Sequence, residues 1–333
     1  MKKVLIVGAG GFIGGFIAAE SLRRGYETWC GVRESTSRRY LTDPKLNFVT
    51  LDYEYPERMA EAMAGQSWDY IVYNLGATKC VNFMDFNRIN YVYLRNFIEA
   101  LTDCNIRPEK FVYMSSLSAL GPGDEKGYAK MSGDMIPRPN TRYGLSKIKA
   151  ETVLQTLPDF PWIILRPTGV YGPHEQDYLL MIKSIDSHFD FGVGFRRQML
   201  TFIYAEDLAR AIFDALEKAP VHTKYIISEP RAYTQKEFRS IVAKALGRRF
   251  VVPVRLPLWM LSIACKISEK WGAAHLKATT LNSDKYNIMA QRNWDCDVTP
   301  AIRDFGFAPK VDLEEGIRLT VEAYRKEKNT PKK

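Results

Sequence analysis

A glycine-rich turn between a buried strand and a helix constrains the fold of this chain most. Val4–Val7 is an apolar, mostly β-branched run, and Gly8-Ala-Gly-Gly11-Phe-Ile-Gly14 follows it at once. A helical pattern then continues to Arg24. Glycines at this spacing permit a tight strand-to-helix turn and a close backbone approach to a ligand. The helix N-terminus that results favours an anionic group such as a pyrophosphate.

The same strand-then-helix pattern continues through the first half of the chain. We predict further strands at Glu27–Val32, Phe48–Leu51, Tyr70–Asn74, Lys110–Ser115 and Trp162–Arg166. Helices are predicted over Pro56–Ala64, Asn87–Leu101 and Tyr143–Thr156, with an irregular loop at 121–142. Such alternation is typical of an α/β fold, here a Rossmann-type doubly wound parallel sheet.

The second half predicts a smaller unit over the carboxyl edge of that sheet. We expect a dinucleotide-binding domain over 1–166, to which 200–228 returns with a strand and a helix. Residues 167–199 and 229–325 are predicted to form a mostly helical substrate-binding lid, and 326–333 a frayed basic tail. The apolar run Leu256–Cys265 predicts a core helix, although a pocket wall or a membrane-surface contact would also suit it.

Composition excludes several classes of protein. Hydrophobic content of 46% and charged content of 26% are those of a globular protein, and no apolar run is long enough for stable membrane insertion. The net charge of +9 accompanies no recognisable nucleic-acid-binding module, so an anionic small-molecule ligand explains it better. The five cysteines and four histidines show no metal-ligand spacing, which predicts reduced thiols, a cytoplasmic location and no metal site.

A tyrosine and a lysine provide the second informative motif. Tyr143 and Lys147 are four positions apart, which places them on one face of a predicted helix, one turn apart. An ammonium in that position favours the phenolate, so we expect the pKa of Tyr143 to fall toward a range useful for proton transfer. Together with the glycine turn, the pair indicates nicotinamide redox chemistry.

From residue 1 to about 325 the chain resembles the extended short-chain dehydrogenase/reductase family, also called the NAD-dependent epimerase/dehydratase family. The elements that carry the resemblance occur in the family's order: Gly8-x-x-Gly11-x-x-Gly14; Asp52 after the third strand; Asn74-Leu-Gly-Ala77 after the fourth; Tyr113-Met-Ser-Ser116 and Gly121 after the fifth; Tyr143 with Lys147; Arg166-Pro-Thr-Gly-Val-Tyr-Gly-Pro173; and Phe202-Ile-Tyr-Ala-Glu-Asp-Leu-Ala-Arg-Ala211.

The resemblance implies a set of cofactor-binding residues. They are Gly8, Gly11, Phe12, Ile13, Gly14, Arg33, Asp52, Tyr53, Leu75, Gly76, Ala77, Tyr143, Lys147 and Pro167. Arg33 follows Val32, which stands where an acidic residue would hold the ribose hydroxyls of NAD. An arginine suits the additional phosphate of NADP, so NADP(H) is favoured over NAD(H), with Arg38 and Arg39 as further phosphate ligands or as part of a solvated basic loop. Asp52 would contact the adenine amino group, or serve as a simple turn residue.

The resemblance also implies the catalytic set Ser116, Tyr143 and Lys147. Ser116 lies five positions before Gly121 and would donate a hydrogen bond to the substrate oxygen, with Ser115 and then Ser118 as competitors. Tyr143 would transfer the proton, while Lys147 would lower its pKa and bind the nicotinamide ribose.

Departures from the family pattern narrow the chemistry. Dehydratases of the family carry a sequence like Thr-Asp-Glu at the position where this chain has Ser116-Leu-Ser118. Family enzymes that act on nucleotide-sugars commonly carry an asparagine where this chain has Gly169, and an arginine where it has Leu200. Arg196 and Arg197 lie close enough in sequence to replace that arginine. The favoured function is therefore a dehydrogenase or carbonyl reductase acting on a small molecule.

Two alternatives stay open: a nucleotide-sugar epimerase with tightly bound NAD, and a non-catalytic dinucleotide-sensing protein. We also expect a homodimer. Its interface would be built from the helices at 87–101 and 143–156, through Tyr91, Leu94, Ile98, Val153 and Leu154, unless these residues belong to the core of one chain.

Overall fold

The computed structural model describes residues 1–275, 277, 279 and 281–329, with thirteen strands within those ranges. The strands are β1 (Lys3–Val7), β2 (Glu27–Val32), β3 (Asn47–Thr50), β4 (Tyr70–Tyr73), β5 (Lys110–Met114), β6 (Trp162–Pro167), β7 (Gly169–Tyr171), β8 (Phe189–Val193), β9 (Met199–Leu200), β10 (Phe202–Tyr204), β11 (Thr223–Ile227), β12 (Tyr233–Thr234) and β13 (Val252–Leu256). Each strand predicted in the first half is present, with ends that agree to within one residue.

The helices follow the same chain order. They are α1 (Phe12–Arg23), α2 (Pro56–Met63), α3 (Phe83–Asn87), α4 (Tyr93–Asp103), α5 (Arg142–Gln155), α6 (Gln176–Asp186), α7 (Ala205–Lys218), α8 (Gln235–Leu246), α9 (Leu258–Ala274), α10 (Ser283–Ala290), α11 (Thr299–Phe305) and α12 (Leu313–Asn329). A π-helical turn at Arg88–Val92 joins α3 to α4, and a short 3₁₀ helix spans Leu117–Ala119.

The central sheet has seven strands in the order β11-β6-β5-β4-β1-β2-β3, and every neighbouring pair is parallel. The chain leaves β1 in one direction toward β2 and β3, then returns to β4 on the other side. This reversal opens a crevice at the carboxyl ends of β1 and β4, where ligands of such folds bind. The predicted Rossmann-type architecture is confirmed.

Each face of the sheet is covered by a separate hydrophobic core. Residues of α1, α7 and α11 pack on one face, and residues of α2, α4 and α5 pack on the other. Three of the residues proposed for a dimer interface, Leu94, Ile98 and Leu154, are buried in the second of these cores. Within one chain they therefore have an intramolecular packing role.

The third core belongs to the lid and combines α6, α8 and α12 with β7 and β10. The lid is mostly helical, as expected, and it also contains strand pairs, β8 with β13 in parallel and β9 with β12 antiparallel. One assignment departs from the prediction. Residues around α11 were assigned to the lid, but Phe305 and Phe307 pack into the core of the central sheet.

The carboxyl-terminal prediction also needs a correction. Helix α12 continues to Asn329, so residues 326–329 of the segment predicted to fray are helical. The first turns of this helix are held in place because Leu313 and Ile317 are buried in the lid core. Residues 330–333 of that predicted tail lie outside the described residues. Across the described ranges, no helix is long and apolar enough to cross a membrane, and no group of metal-ligating side chains is found.

Candidate active site

The glycine turn links β1 to α1 and packs tightly against its surroundings. Gly8 has φ +82°, and a Cβ there would lie 2.8 Å from the backbone of Leu75, which follows β4. A Cβ at Gly14 would lie 2.3 Å from the Ala9 carbonyl oxygen, so this glycine lets α1 approach the turn. At Gly11 the nearest neighbour would be 3.6 Å away, which leaves room for a ligand.

The first turn of α1 is suited to bind an anion. Among the described residues, no side chain caps this helix, and its first turn, at Phe12 and Ile13, carries no acidic residue. Its free backbone N–H groups and the positive end of the helix dipole therefore face the turn, as in a phosphate site. This geometry fits the pyrophosphate of a dinucleotide.

The basic loop after β2 lies over the glycine turn. The Thr36 methyl group would be 2.1 Å from a Cβ at Gly10, so the two segments are in contact. Arg38 stacks on the Phe48 ring at 4.1 Å, and Arg39 stacks on its neighbour Tyr40. Arg33 is exposed, and within the described chain its guanidinium has no carboxylate partner.

The two predicted residues after β3 have different environments. Asp52 is partly exposed, and its Oδ2 accepts a hydrogen bond from Arg58 Nη1 at 2.9 Å. Tyr53 is 2% exposed and donates its hydroxyl to the Gly31 carbonyl at 3.4 Å. Its side chain is thus part of the core, so only its backbone remains as a ligand contact. The resemblance did not reveal this, since it fixes position along the chain and not side-chain direction.

The three predicted catalytic residues converge at the carboxyl ends of β4 and β5. Thr141 caps α5 by accepting the Gly144 N–H at 2.9 Å, which places Tyr143 in the first turn and Lys147 one turn later. The Ser116 hydroxyl lies close enough to the Tyr143 phenol to lower its pKa. Lys147 is buried and its Nζ donates to the Met114 carbonyl at 2.8 Å.

The loop after β4 closes this group. A Cβ at Gly76 would lie 2.9 Å from Lys147 Nζ, so a glycine is needed where the loop passes the ammonium. Leu75, Gly76 and Ala77 therefore lie between the glycine turn and Lys147.

The pKa values differ from the sequence expectation. Burial raises the pKa of Tyr143 to about 12, and the nearby Ser116 hydroxyl opposes this only in part. Burial also lowers the pKa of Lys147 to about 7, against the attraction of the Glu151 carboxylate. The expected lowering of the Tyr143 pKa is not found, because desolvation dominates and the lysine bonds to a backbone carbonyl.

The structure separates the two candidate serines. Ser115 is buried and donates to Glu151 Oε1 at 2.5 Å. Glu151 also pairs with the buried Arg166 guanidinium at 2.6 Å. Ser115 therefore belongs to an internal polar network. Ser116 is partly exposed and lies near the Tyr143 phenol, which supports the choice of Ser116.

Asn90, in the π-helical turn, joins two walls of the site. Its side chain accepts the Ala77 N–H at 2.8 Å and donates to the Ala77 carbonyl at 3.0 Å. It also donates to Ser146 Oγ at 2.9 Å, and Ser146 in turn donates to the Tyr143 carbonyl at 2.7 Å. Asn90 thus holds the β4 loop in register with the catalytic helix.

Asp284, in α10 of the lid, caps the catalytic helix from outside, and sequence reasoning missed it. Its carboxylate accepts the N–H groups of Arg142 at 3.0 Å and Tyr143 at 3.1 Å. Glu269 in α9 holds the Arg142 guanidinium at 2.5 Å. The carboxylate lies 142 and 141 positions from the two N–H groups that donate to it, so no local sequence signal could have found this contact.

The end of β6 completes the edge of the sheet. Pro167 is buried at the end of the strand, and the next residue, Thr168, has a buried hydroxyl. Within the part of the chain that the structure describes, this hydroxyl has no hydrogen-bond partner. An unpaired buried hydroxyl at this edge is suited to a polar group of a bound ligand.

Comparisons with known proteins agree with this geometry. A model of the NAD dependent epimerase/dehydratase family matches residues 4–228. A UDP-glucose 4-epimerase of Vibrio cholerae is 22% identical, covering 98% of this chain and 97% of that protein. An Arabidopsis thaliana 3beta-hydroxysteroid-dehydrogenase/decarboxylase isoform is 20% identical, covering 98% of this chain and 62% of that protein. The structure of Thermus thermophilus UDP-glucose 4-epimerase in complex with NAD superposes with a TM-score of 0.76 at 20% identity, covering 97% and 99% of the two chains.

Proposed function

Because the chain belongs to the NAD-dependent epimerase/dehydratase family, and is thus an enzyme, we propose that it transfers hydride between a nicotinamide cofactor and a carbonyl or secondary alcohol of a small molecule. The observation that carries the proposal is the convergence of Ser116, Tyr143 and Lys147 beside the loop after β4.

Each of the three residues has a role that its environment supports. The bound cofactor would supply or accept the hydride. Ser116 would donate a hydrogen bond to the substrate oxygen on which charge develops. Tyr143, a neutral phenol at neutral pH because burial raises its pKa to about 12, would give its proton to that oxygen during reduction. Lys147 would hold the nicotinamide ribose.

The test of this chemistry is the variant Tyr143→Phe. It removes the transferable proton while it keeps the ring, so turnover should fall at least about a thousandfold with dinucleotide affinity nearly unchanged. Ser116→Ala should lower kcat, and the matched control Ser115→Ala should act mainly on stability, since its hydroxyl binds Glu151. Turnover that survives Tyr143→Phe would refute the assignment.

The glycine turn and the loop after β4 would hold the dinucleotide, with the Pro167 end of β6 beside its nicotinamide. Arg33 supports NADP(H) over NAD(H), because it is exposed directly after β2 and has no carboxylate partner among the described residues, while Arg38 and Arg39 are stacked on aromatic rings. The similar Thermus thermophilus structure contains NAD, so the preference needs a direct measurement.

Titration of NADPH and NADH into cofactor-free protein tests the preference. We expect NADPH to bind at least about tenfold more tightly. Arg33→Ala should remove that difference, and the matched control Arg38→Ala should keep most of it. Equal affinities in the unmodified protein would overturn the NADP assignment.

Nucleotide-sugar epimerisation is the second candidate, and the relatives that share almost the whole length of the chain favour it. One contact argues against it. The Tyr178 hydroxyl would lie 2.0 Å from a Cβ at Gly169. The Tyr178 phenol therefore fills the space that an asparagine side chain would need at this position, where nucleotide-sugar enzymes of the family commonly carry one. An epimerase of this kind keeps NAD through purification and shows no net redox change, whereas a reductase exchanges its cofactor in each turnover.

A further inference from the structure

Helix α9 of the lid exposes an apolar stripe to solvent. Trp259, Ile263, Ile267 and Trp271 recur every fourth residue and are 64%, 51%, 64% and 55% exposed. The opposite side of the helix packs through Leu261 and Cys265 into a small cluster. The solvent-facing side of a surface helix normally carries polar residues, so an apolar stripe on the exposed side of α9 is unusual.

Neighbouring residues extend the apolar surface. Phe195, which follows β8, is 78% exposed, and a Cβ at the adjacent Gly194 would lie 3.7 Å from the Leu258 side chain at the start of α9. Phe189 and Phe191 are stacked and exposed on β8. Side chains alternate along a strand, so these two share the face of Val193, which contacts the α9 cluster.

Cationic side chains surround this surface. Lys266 and Lys270 lie along one edge of the stripe, and Arg196 and Arg197 follow Phe195. In the described ranges none of these four is paired with a carboxylate. The acidic residue of α9, Glu269, is turned inward to Arg142 and so leaves the exposed side without negative charge.

We propose that the α9 surface, defined by the Trp259–Trp271 stripe and its surrounding lysines and arginines, docks on an anionic lipid bilayer. Tryptophan at both ends and lysine along one edge are typical of a helix that lies in the membrane interface. The helix has 17 residues, about 25 Å, and would lie in the plane of the bilayer.

A second copy of the chain suits the surface less well. In a symmetric contact the same surface would face itself, so the lysines and arginines of both copies would be brought together without acidic partners. Anionic headgroups offer these cations the missing negative charge, while the apolar stripe enters the acyl boundary.

Flotation of the full chain with phosphatidylcholine vesicles, with and without phosphatidylglycerol, tests the proposal. We expect binding that requires phosphatidylglycerol and weakens with salt. The double variant Ile263→Asp/Ile267→Asp should reduce binding at least about tenfold. The control Ile302→Asp, which makes one such substitution at a 46% exposed position on α11, should bind normally.

The double variant Lys266→Glu/Lys270→Glu should also reduce binding by about tenfold or more at low salt. Dinucleotide titration of every variant verifies the fold and is independent of turnover, so a wrong substrate class would not affect the result. Absence of vesicle binding by the unmodified chain, or binding that survives Ile263→Asp/Ile267→Asp, would overturn the proposal. Light scattering that shows a dimer dissociated by the same variant, without vesicle binding, would assign the surface to self-association instead.

Discussion

Replacing Asp284 by alanine should impair the catalytic helix from a distance. The substitution removes the carboxylate that accepts the N–H groups of Arg142 and Tyr143, together with its 3.2 Å contact to Arg142 Nε. Loss of an N-terminal cap costs about 1 kcal/mol, and loss of a negative charge at a helix N-terminus costs about 0.3–1 kcal/mol more. We therefore expect the free energy of unfolding to fall by about 2 kcal/mol, since Thr141 and Glu269 keep their own contacts.

The effect on turnover should exceed what stability alone predicts. Tyr143 lies in the turn that Asp284 caps, and a small displacement of a proton donor costs about ten- to a hundredfold in rate. Denaturant unfolding and steady-state kinetics on the same preparation measure both quantities. Asp284→Asn keeps one acceptor oxygen, so it should lower the free energy of unfolding by about half as much as Asp284→Ala does.

Thr234→Ala is the matched control. Thr234 caps α8 in a capping box with Glu237, in the lid but away from the catalytic helix. It should cost about 1 kcal/mol of stability and leave kcat unchanged. If Asp284→Ala also leaves kcat unchanged, Asp284 is a helix cap and nothing more, and the positioning argument is wrong.

Two further predictions concern the same site. Asn90→Ala and Asn96→Ala each remove a buried amide with two or more hydrogen bonds, so each should cost about 2–3 kcal/mol in denaturant unfolding. Only Asn90→Ala should also lower kcat, because Asn96 binds the carbonyls after β3; equal kcat values would contradict this. The pKa of Tyr143, about 12, lies above the usual assay range, so its phenolate fraction rises about tenfold per pH unit. Initial rates of alcohol oxidation should therefore increase from about pH 7 to about pH 10 while carbonyl reduction changes little; oxidation that levels off near neutral pH would show another group to be the base.

The first half of the chain was predictable because its signals are local. A buried parallel strand is a short continuous apolar run, and a glycine directly after it, here Gly8 with φ +82°, permits the tight turn that follows. Tyr143 and Lys147 are one helical turn apart, so their spacing already determines that they share a face. For these residues, geometry within a few positions decides the structure.

The lid was less predictable because its contacts join distant segments. Strands β8 and β13 are short and pair across 63 positions, as in Phe189 with Val252. Helix α10, which provides Asp284, went unpredicted because it has eight residues and weak amphipathic character. The direction of the Tyr53 side chain and the high pKa of Tyr143 depend on burial, which sequence position does not reveal.

The contacts at Arg142 tie the lid to the catalytic helix. Its guanidinium binds Glu269 of α9, and its backbone N–H binds Asp284 of α10, so two lid helices hold the residue next to Tyr143. The position of Tyr143 therefore depends on the packing of these two lid helices as well as on the central sheet. A variant that loosens α9 from within, such as Leu261→Ala, should thus lower kcat under conditions where dinucleotide affinity is still normal. The lid thus helps to fix the geometry around Tyr143.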